Sequence, residues 1–332
     1  MSLTDNTAVR FAKDLFKDFS DDDCPRMAAA LSYYTIFSLP AVLVIVATIV
    51  GAVFGQAAAE GQIQQQFGSL LGEEGASFIQ TMIQNEGERA TGSSGIIATI
   101  LGIGVLLFGA IGAFVELQSA LNTTWEVEPD PEKGGINAFI VKRLLSFGMI
   151  LGIGFLLLVS LVLSAAISAF GQLISNYLPD FFSQGLLFAI NIAISLLVIT
   201  LLFAAIFKIM PDAVVQWKDV GVGALATAVL FVIGKFAIGL YLGHSSVGSA
   251  YGAAGTLALL LIWIYYSALI VFIGAEFTQI WARYTGSRIV PDENAVRVVS
   301  ETRHVDDDGL ATDETTEPVR PPVSRTKGAG RR

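Results

Sequence analysis

Leu186 to Phe207 reads LLFAINIAISLLVITLLFAAIF, a run without a single charge. A bilayer's hydrocarbon core of about 30 Å takes roughly 20 helical residues to cross, and this run is long enough. In lipid every backbone polar group must find its partner within the segment, so such a run reads as a membrane-spanning helix. Lys208 closes it on the C-terminal side. Working outward, similar windows cover Ile96 to Val115, continuing helically toward Asn122, and Leu144 to Phe170. Others cover Tyr33 to Phe54, with Pro40 inside, Val220 to Leu242, interrupted by Lys235, and Thr256 to Phe277. The reading is all-α: an integral membrane bundle of about six helices, each long enough to cross with tilt.

Composition agrees. Of the 332 residues 53% are hydrophobic and only 15% charged, against about 25% charged in soluble proteins. A net charge of −9 excludes a polybasic nucleic-acid surface as the main feature. The single cysteine, Cys24, leaves no intrachain disulfide, and His244 and His304 leave no ordinary His-rich metal site. No P-loop, Gly-x-Ser-x-Gly elbow or His-Glu-x-x-His motif occurs. The expectation is therefore no catalytic residue, no cofactor and no resident metal.

The domain plan has three parts. Residues 1–31 form an N-terminal segment in which Val9, Ala12, Phe16 and Phe19 recur at helical spacing beside Lys13 and Lys17, as an interfacial helix requires. Residues 32–282 form the six-helix domain. Within it residues 56–94 are polar but carry Ile63, Phe67, Leu70, Phe78 and Ile83 at helical intervals, which predicts an extracytoplasmic amphipathic helical insert. Residues 283–332, with Pro291, Pro318, Pro321 and Pro322 and few aromatics, predict a disordered tail.

Orientation follows from the retention of basic residues in the cytoplasm. With both termini inside the cell membrane, Arg10, Lys13, Lys17, Arg26, Lys133, Lys142, Arg143, Lys208, Lys218 and the tail's basic residues are cytoplasmic. Only Arg89 falls outside, and an odd number of spans would export the Arg-rich tail.

Among candidate functional residues, Lys235 stands first, since a central lysine costs about 3 kcal/mol on insertion scales. Two readings stay open: its stem snorkels toward the interface near Leu242 or it joins a structural ion pair, or it lines a substrate or ion path. Glu116 and Glu276 fall at the cytoplasmic ends of spans two and six and read as structural, with Lys142, Arg143, Lys208 or Arg283 as expected partners of these carboxylates. Small residues four apart, Ala98 and Gly102, Gly109 and Ala113, Gly148 and Gly152, and Gly248 and Gly252, are candidates for close helix approach. The Gly-rich stretch Gly243 to Gly255 reads either as plain loop or as broken backbone lining a wet cavity.

Several segments occur together in a distinctive order. They are Ala28-Ala29-Ala30-Leu31-Ser32-Tyr33-Tyr34 with Ser38-Leu39-Pro40, then Ser119-Ala120-Leu121-Asn122-Thr123-Thr124-Trp125, then Trp217-Lys218-Asp219-Val220 with Gly223-Ala224. Lys235 with Tyr241, Tyr251-Gly252, Trp263-Ile264-Tyr265-Tyr266 and Gly274-Ala275-Glu276 follow. From about Arg26 to Arg283 the chain resembles the YihY/BrkB family of multipass membrane proteins. The resemblance implies an envelope protein; members have been labelled ribonuclease BN or linked to serum resistance or lipid export. It adds Tyr241, Tyr251 and Gly252 to Lys235 on a candidate path, and Asn122 and Asp219 to Glu116 and Glu276 as structural polar residues. A nuclease needs several metal ligands, which two separated histidines do not supply. The expected function is a non-ATP-driven transporter or lipid-handling protein, with an envelope scaffold as the alternative. The expected partners are membrane lipids and an anionic lipid or small solute, with no nucleic acid; a homo-oligomer stays open.

Overall fold

A computed structural model describes residues 7–55, 61, 80–81, 111–133, 180–244, 253–299, 303–305 and 311–315. The expected third span, 144–170, the bulk of the insert and most of the expected second span lie outside them. The described helices are α1 (Thr7–Asp21), α2 (Cys24–Phe54), α3 (111–124), α4 (Asp180–Ile209), α5 (Trp217–His244) and α6 (Ala253–Thr285). Ile192–Ile209, Trp217–Ile238 and Leu257–Thr285 are long and apolar enough to cross a membrane. The protein is a largely helical membrane bundle, as its uncharged runs predict.

Helix α6 is the hub, packing against α1, α2 and α5, while α5 packs in turn against α4. At 33 residues α6 is about 50 Å long, well beyond a hydrocarbon core of about 30 Å. The surplus carries the polar residues that follow Gly274. Side chains turned away from the bundle are large and apolar: Leu197, Leu201, Leu225, Val229, Ile233 and Phe236 are all exposed. That outer surface matches hydrocarbon rather than water.

The α5–α6 contact rests on a reciprocal glycine–threonine clasp. A methyl group added at Gly223 would overlap the Thr278 hydroxyl, and one added at Gly274 would overlap that of Thr227. Each threonine donates to the carbonyl four residues earlier on its own helix, Thr227 to Gly223 and Thr278 to Gly274, both at 2.7 Å. Both hydroxyls thus enter a fully buried contact already satisfied. Gly112 admits the ring of Tyr34 similarly, where a Cβ would stand 2.7 Å from Cδ1. Of the small-residue pairs expected from sequence, none lies wholly within the described residues.

One end of the bundle is closed by short strands. β1 (Val127–Pro129) pairs antiparallel with β4 (Ala295–Arg297), and β2 (Ala213–Val214) with β3 (Val290–Pro291). Glu126, at φ 55°, turns the chain from α3 into β1. Its carbonyl accepts from the Val298 N–H at 2.8 Å, and its carboxylate meets Arg297 at 3.0 Å. The expectation of disorder from residue 283 therefore fails through residue 299: α6 runs to Thr285 and two strands follow. The physical reason is nonlocal, because these strands are satisfied by partners about 80 and 170 residues earlier in the chain. β5 (Arg303–Val305) and β6 (Ala311–Thr315) pair with each other beyond them.

The clasp gives a sharp contrast between neighbouring glycines. Gly221 has nothing within 4 Å of an added Cβ, so Gly221→Ala is expected to be neutral or stabilising, by up to about 1 kcal/mol. Gly223→Ala is expected to cost about 1–3 kcal/mol through overpacking. Melting of detergent-purified variants, followed by loss of the monodisperse species, checks this; equal melting temperatures for the two variants would refute the clasp.

Candidate functional site

Two groups of polar residues stand at different depths. The deeper one centres on Lys235 of α5, half-buried and 18 residues after Trp217, about 27 Å along the helix. Its angular position is informative. Val220, Ala224, Ala228, Gly234 and Ile238 form the buried stripe of α5. Lys235 follows Ala228 by seven residues and Ala224 by eleven, two full and three full turns, so it lies along that stripe. The exposed side belongs to Ile233 and Phe236, 60% and 65% exposed. A lysine that only snorkels is expected on the outer side, with those two.

Beside it, Gly234 has no side chain, and the Tyr266 hydroxyl of α6 occupies the space a Cβ would fill. One turn earlier, Phe231 packs edge-on against Phe203 of α4 at 5.8 Å and Trp263 of α6 at 6.1 Å. Among the described residues Lys235 makes no hydrogen bond or ion pair. Tyr241 continues α5, its side chain outside the described set, and Tyr251 and Gly252 lie outside it altogether. Tyr266 is the member of this level that composition and spacing did not single out; only its place in the Trp263 to Tyr266 motif hinted at it.

The second group sits at the strand-closed end. Asn122 of α3 and Asp212, in the turn after α4, exchange two bonds: Asn122 Nδ2 donates to Asp212 Oδ2 at 2.9 Å, and the Asp212 N–H donates to Asn122 Oδ1 at 2.8 Å. Trp125, wholly buried, donates its indole N–H to the Ala275 carbonyl of α6 at 3.3 Å. The next residue, Glu276, is also wholly buried and accepts from the Cys24 thiol of α2 at 3.7 Å. Burial raises the Cys24 pKa first, and the nearby carboxylates of Glu276 and Asp22 raise it further, so the thiol stays protonated. Asp219 is buried in the first turn of α5, where the helix dipole favours an anion. Glu116 stays half-buried two turns before Thr124 on α3 and, among the described residues, is not drawn into this group.

Two of the cations expected beside Glu116 and Glu276 bond elsewhere. Arg283 reaches Asp18 of α1 at 3.3 Å, and Lys208 donates to the Val215 carbonyl while lying 5.6 Å over the Trp217 ring. Arg283 is two turns beyond Glu276, about 10 Å, which puts it level with α1. Lys142 and Arg143 lie outside the described residues. Cys24 and Asp212 were not singled out from sequence. Asp212 follows the Met210-Pro211 break directly, and that polar turn was the available signal.

A sequence model of the family described as Virulence factor BrkB matches residues 15–298, well over half of the chain. The chain belongs to the BrkB family. Relatives of this BrkB-family chain are membrane proteins by name. A UPF0761 membrane protein of Psychrobacter sp. (strain PRwf-1) is 26% identical over 294 residues, 86% of this chain and 51% of that protein. One of Azotobacter vinelandii is 29% identical over 276 residues, 81% and 62% respectively. One of Pseudomonas aeruginosa (strain LESB58) is 26% identical over 304 residues, 88% and 69%. The chain thus spans only about half to seven tenths of the length of these relatives. No solved structure matches the chain.

Cys24 gives this end a pH signature. Folding favours the protonated thiol, so its contribution is complete below the ordinary thiol value near 9 and is lost as pH rises past it. The loss is expected to reach up to about 1.4 kcal/mol per pH unit. Melting temperature should therefore fall more steeply above about pH 9 in the wild type than in Cys24→Ala. Parallel slopes would show that the thiol ionises as freely in the fold as out of it.

Proposed function

We propose that this membrane protein is a non-ATP-driven transporter or lipid-handling protein of the cell membrane, with both termini cytoplasmic. It pairs Lys235 with an anionic headgroup or small solute inside the bundle. The observation that carries this reading is the place of Lys235 on the buried stripe of α5, in line with Ala224 and Ala228, without a partner among the described residues. Ionisable residues within membrane helices that face the bundle interior usually mark substrate or ion pathways. Tyr266, over Gly234, supplies a hydroxyl at the same level that can donate to an anion's oxygen. The energetic logic is that an ammonium held in a low-dielectric site gains strongly from a charge-assisted bond. The reading involves no catalytic step.

A second reading, a non-transporting envelope scaffold, is favoured by the strand-closed end. There the Asn122–Asp212 pair and the Trp125–Ala275 bond tie α3, the α4–α5 turn and α6 into one block.

Lys235→Met separates the two, because it keeps the stem and removes the charge. The expected outcome is a variant with wild-type abundance and elution profile that fails to complement a deletion strain, while Lys235→Arg retains partial function. Comparing the lipid content and solute uptake of those strains identifies the cargo class. Full complementation by Lys235→Met at equal abundance would leave the scaffold as the better reading.

A further inference from the structure

Helix α1 sorts its charges by face. Its acidic side chains turn toward the bundle: Asp14 accepts from the Tyr284 hydroxyl at 2.8 Å, and Asp18, 3% exposed, pairs with Arg283 at 3.3 Å. Phe11 shares that side, edge-on to Phe277 at 5.1 Å and Tyr284 at 5.5 Å. The opposite side holds Ala12 and Phe16, with Phe16 77% exposed. Arg10, Lys13 and Lys17, spaced three and four residues apart, form an exposed basic ridge along that apolar strip. Asp21, in the last turn, is the remaining exposed acid of α1.

The height of α1 along the bundle adds a second, independent observation. It packs on the final turns of α6, where Trp281 stacks on Phe277 at 6.3 Å and Tyr284 is 41% exposed. At the start of α5, Trp217 is 67% exposed beneath Lys208. Tryptophan and tyrosine with lysine at one level mark a membrane–water boundary. We infer that the outer face of α1 is a docking surface for anionic lipid: Phe16 and Ala12 enter the headgroup boundary while Arg10, Lys13 and Lys17 bind lipid phosphates. A neutral lipid surface would reward the apolar strip alone. The removal of Asp14 and Asp18 to the inner face leaves a cationic ridge that a net negative surface satisfies.

The test uses the full chain in nanodiscs of phosphatidylcholine, with or without phosphatidylglycerol. An environment-sensitive fluorophore is attached at Phe16→Cys, with Cys24→Ala to remove the native thiol. If Cys24→Ala does not fold, Cys24 stays, since it is fully buried in the native protein. Glu132→Cys, on the exposed turn after β1, is the aqueous control. The expected result is blue-shifted emission at residue 16, quenched by lipids brominated near the headgroup, and strongest with phosphatidylglycerol. Lys13→Gln and Lys17→Gln are each expected to weaken the preference for phosphatidylglycerol by roughly fivefold. Water-like emission at residue 16 in both discs would overturn the inference. So would burial indifferent to lipid charge, and so would burial that escapes lipid quenching in discs holding two copies, which would mean a protein partner.

Discussion

The reciprocal insertion of two threonines against two glycines, Thr278 against Gly223 and Thr227 against Gly274, fixes how α5 and α6 lie together. In lipid no hydrophobic force drives helix pairing, so close packing must supply it, and glycine permits the closest approach. Two such contacts four residues apart on each helix also fix the axial register of an antiparallel pair. Everything deeper follows from that register. Tyr266 falls opposite Gly234, and Glu276 falls ten residues from Tyr266, about 15 Å toward the strand-closed end. Lys235 and Glu276 are thereby held at separate depths, each free of the other's charge.

Separation lets each depth have its own chemistry. At the closed end several buried polar groups bond internally: a carboxylate meets a thiol, an amide meets a carboxylate and an N–H, an indole meets a helix carbonyl. Such networks resist rearrangement, since breaking one bond leaves a desolvated group behind. Among the described residues, the Lys235 level holds the rings of Phe231, Phe203 and Trp263, Gly234 and the Tyr266 hydroxyl. The closed end therefore suits a rigid support.

Much of this was legible in the sequence. Uncharged runs placed α4, α5 and α6 to within a few residues at most ends, because in lipid composition and length nearly dictate the helix. The start of α4, at Asp180, and the end of α6 were the exceptions: the last turns of α6 carry Glu276, Gln279 and Arg283, polar residues that the hydrophobic signal cannot extend across. The strands of the closed end were illegible for a different reason. Val290, Pro291 and Ala295 to Arg297 have no pattern of their own that demands a sheet; they pair only because β1 and β2 offer open edges. Lys235 was visible as an anomaly of charge in an apolar run. Its inward direction was not, since that depends on which stripe of α5 meets α4 and α6.

The same strand pairs set an order of events during synthesis. Val127 emerges long before its partner Arg297, and Ala213 well before Pro291, so both early strands wait unpaired while α4, α5 and α6 are made. Asn122 can engage Asp212 once α4 has passed, and Trp125 can reach Ala275 only when α6 is nearly complete. At this end, the last ties to form are those made by residues 290–298. Closure of this end is thus a late step: a chain halted before Val290 keeps its hydrophobic spans but leaves the edges of β1 and β2 without the strands that cover them.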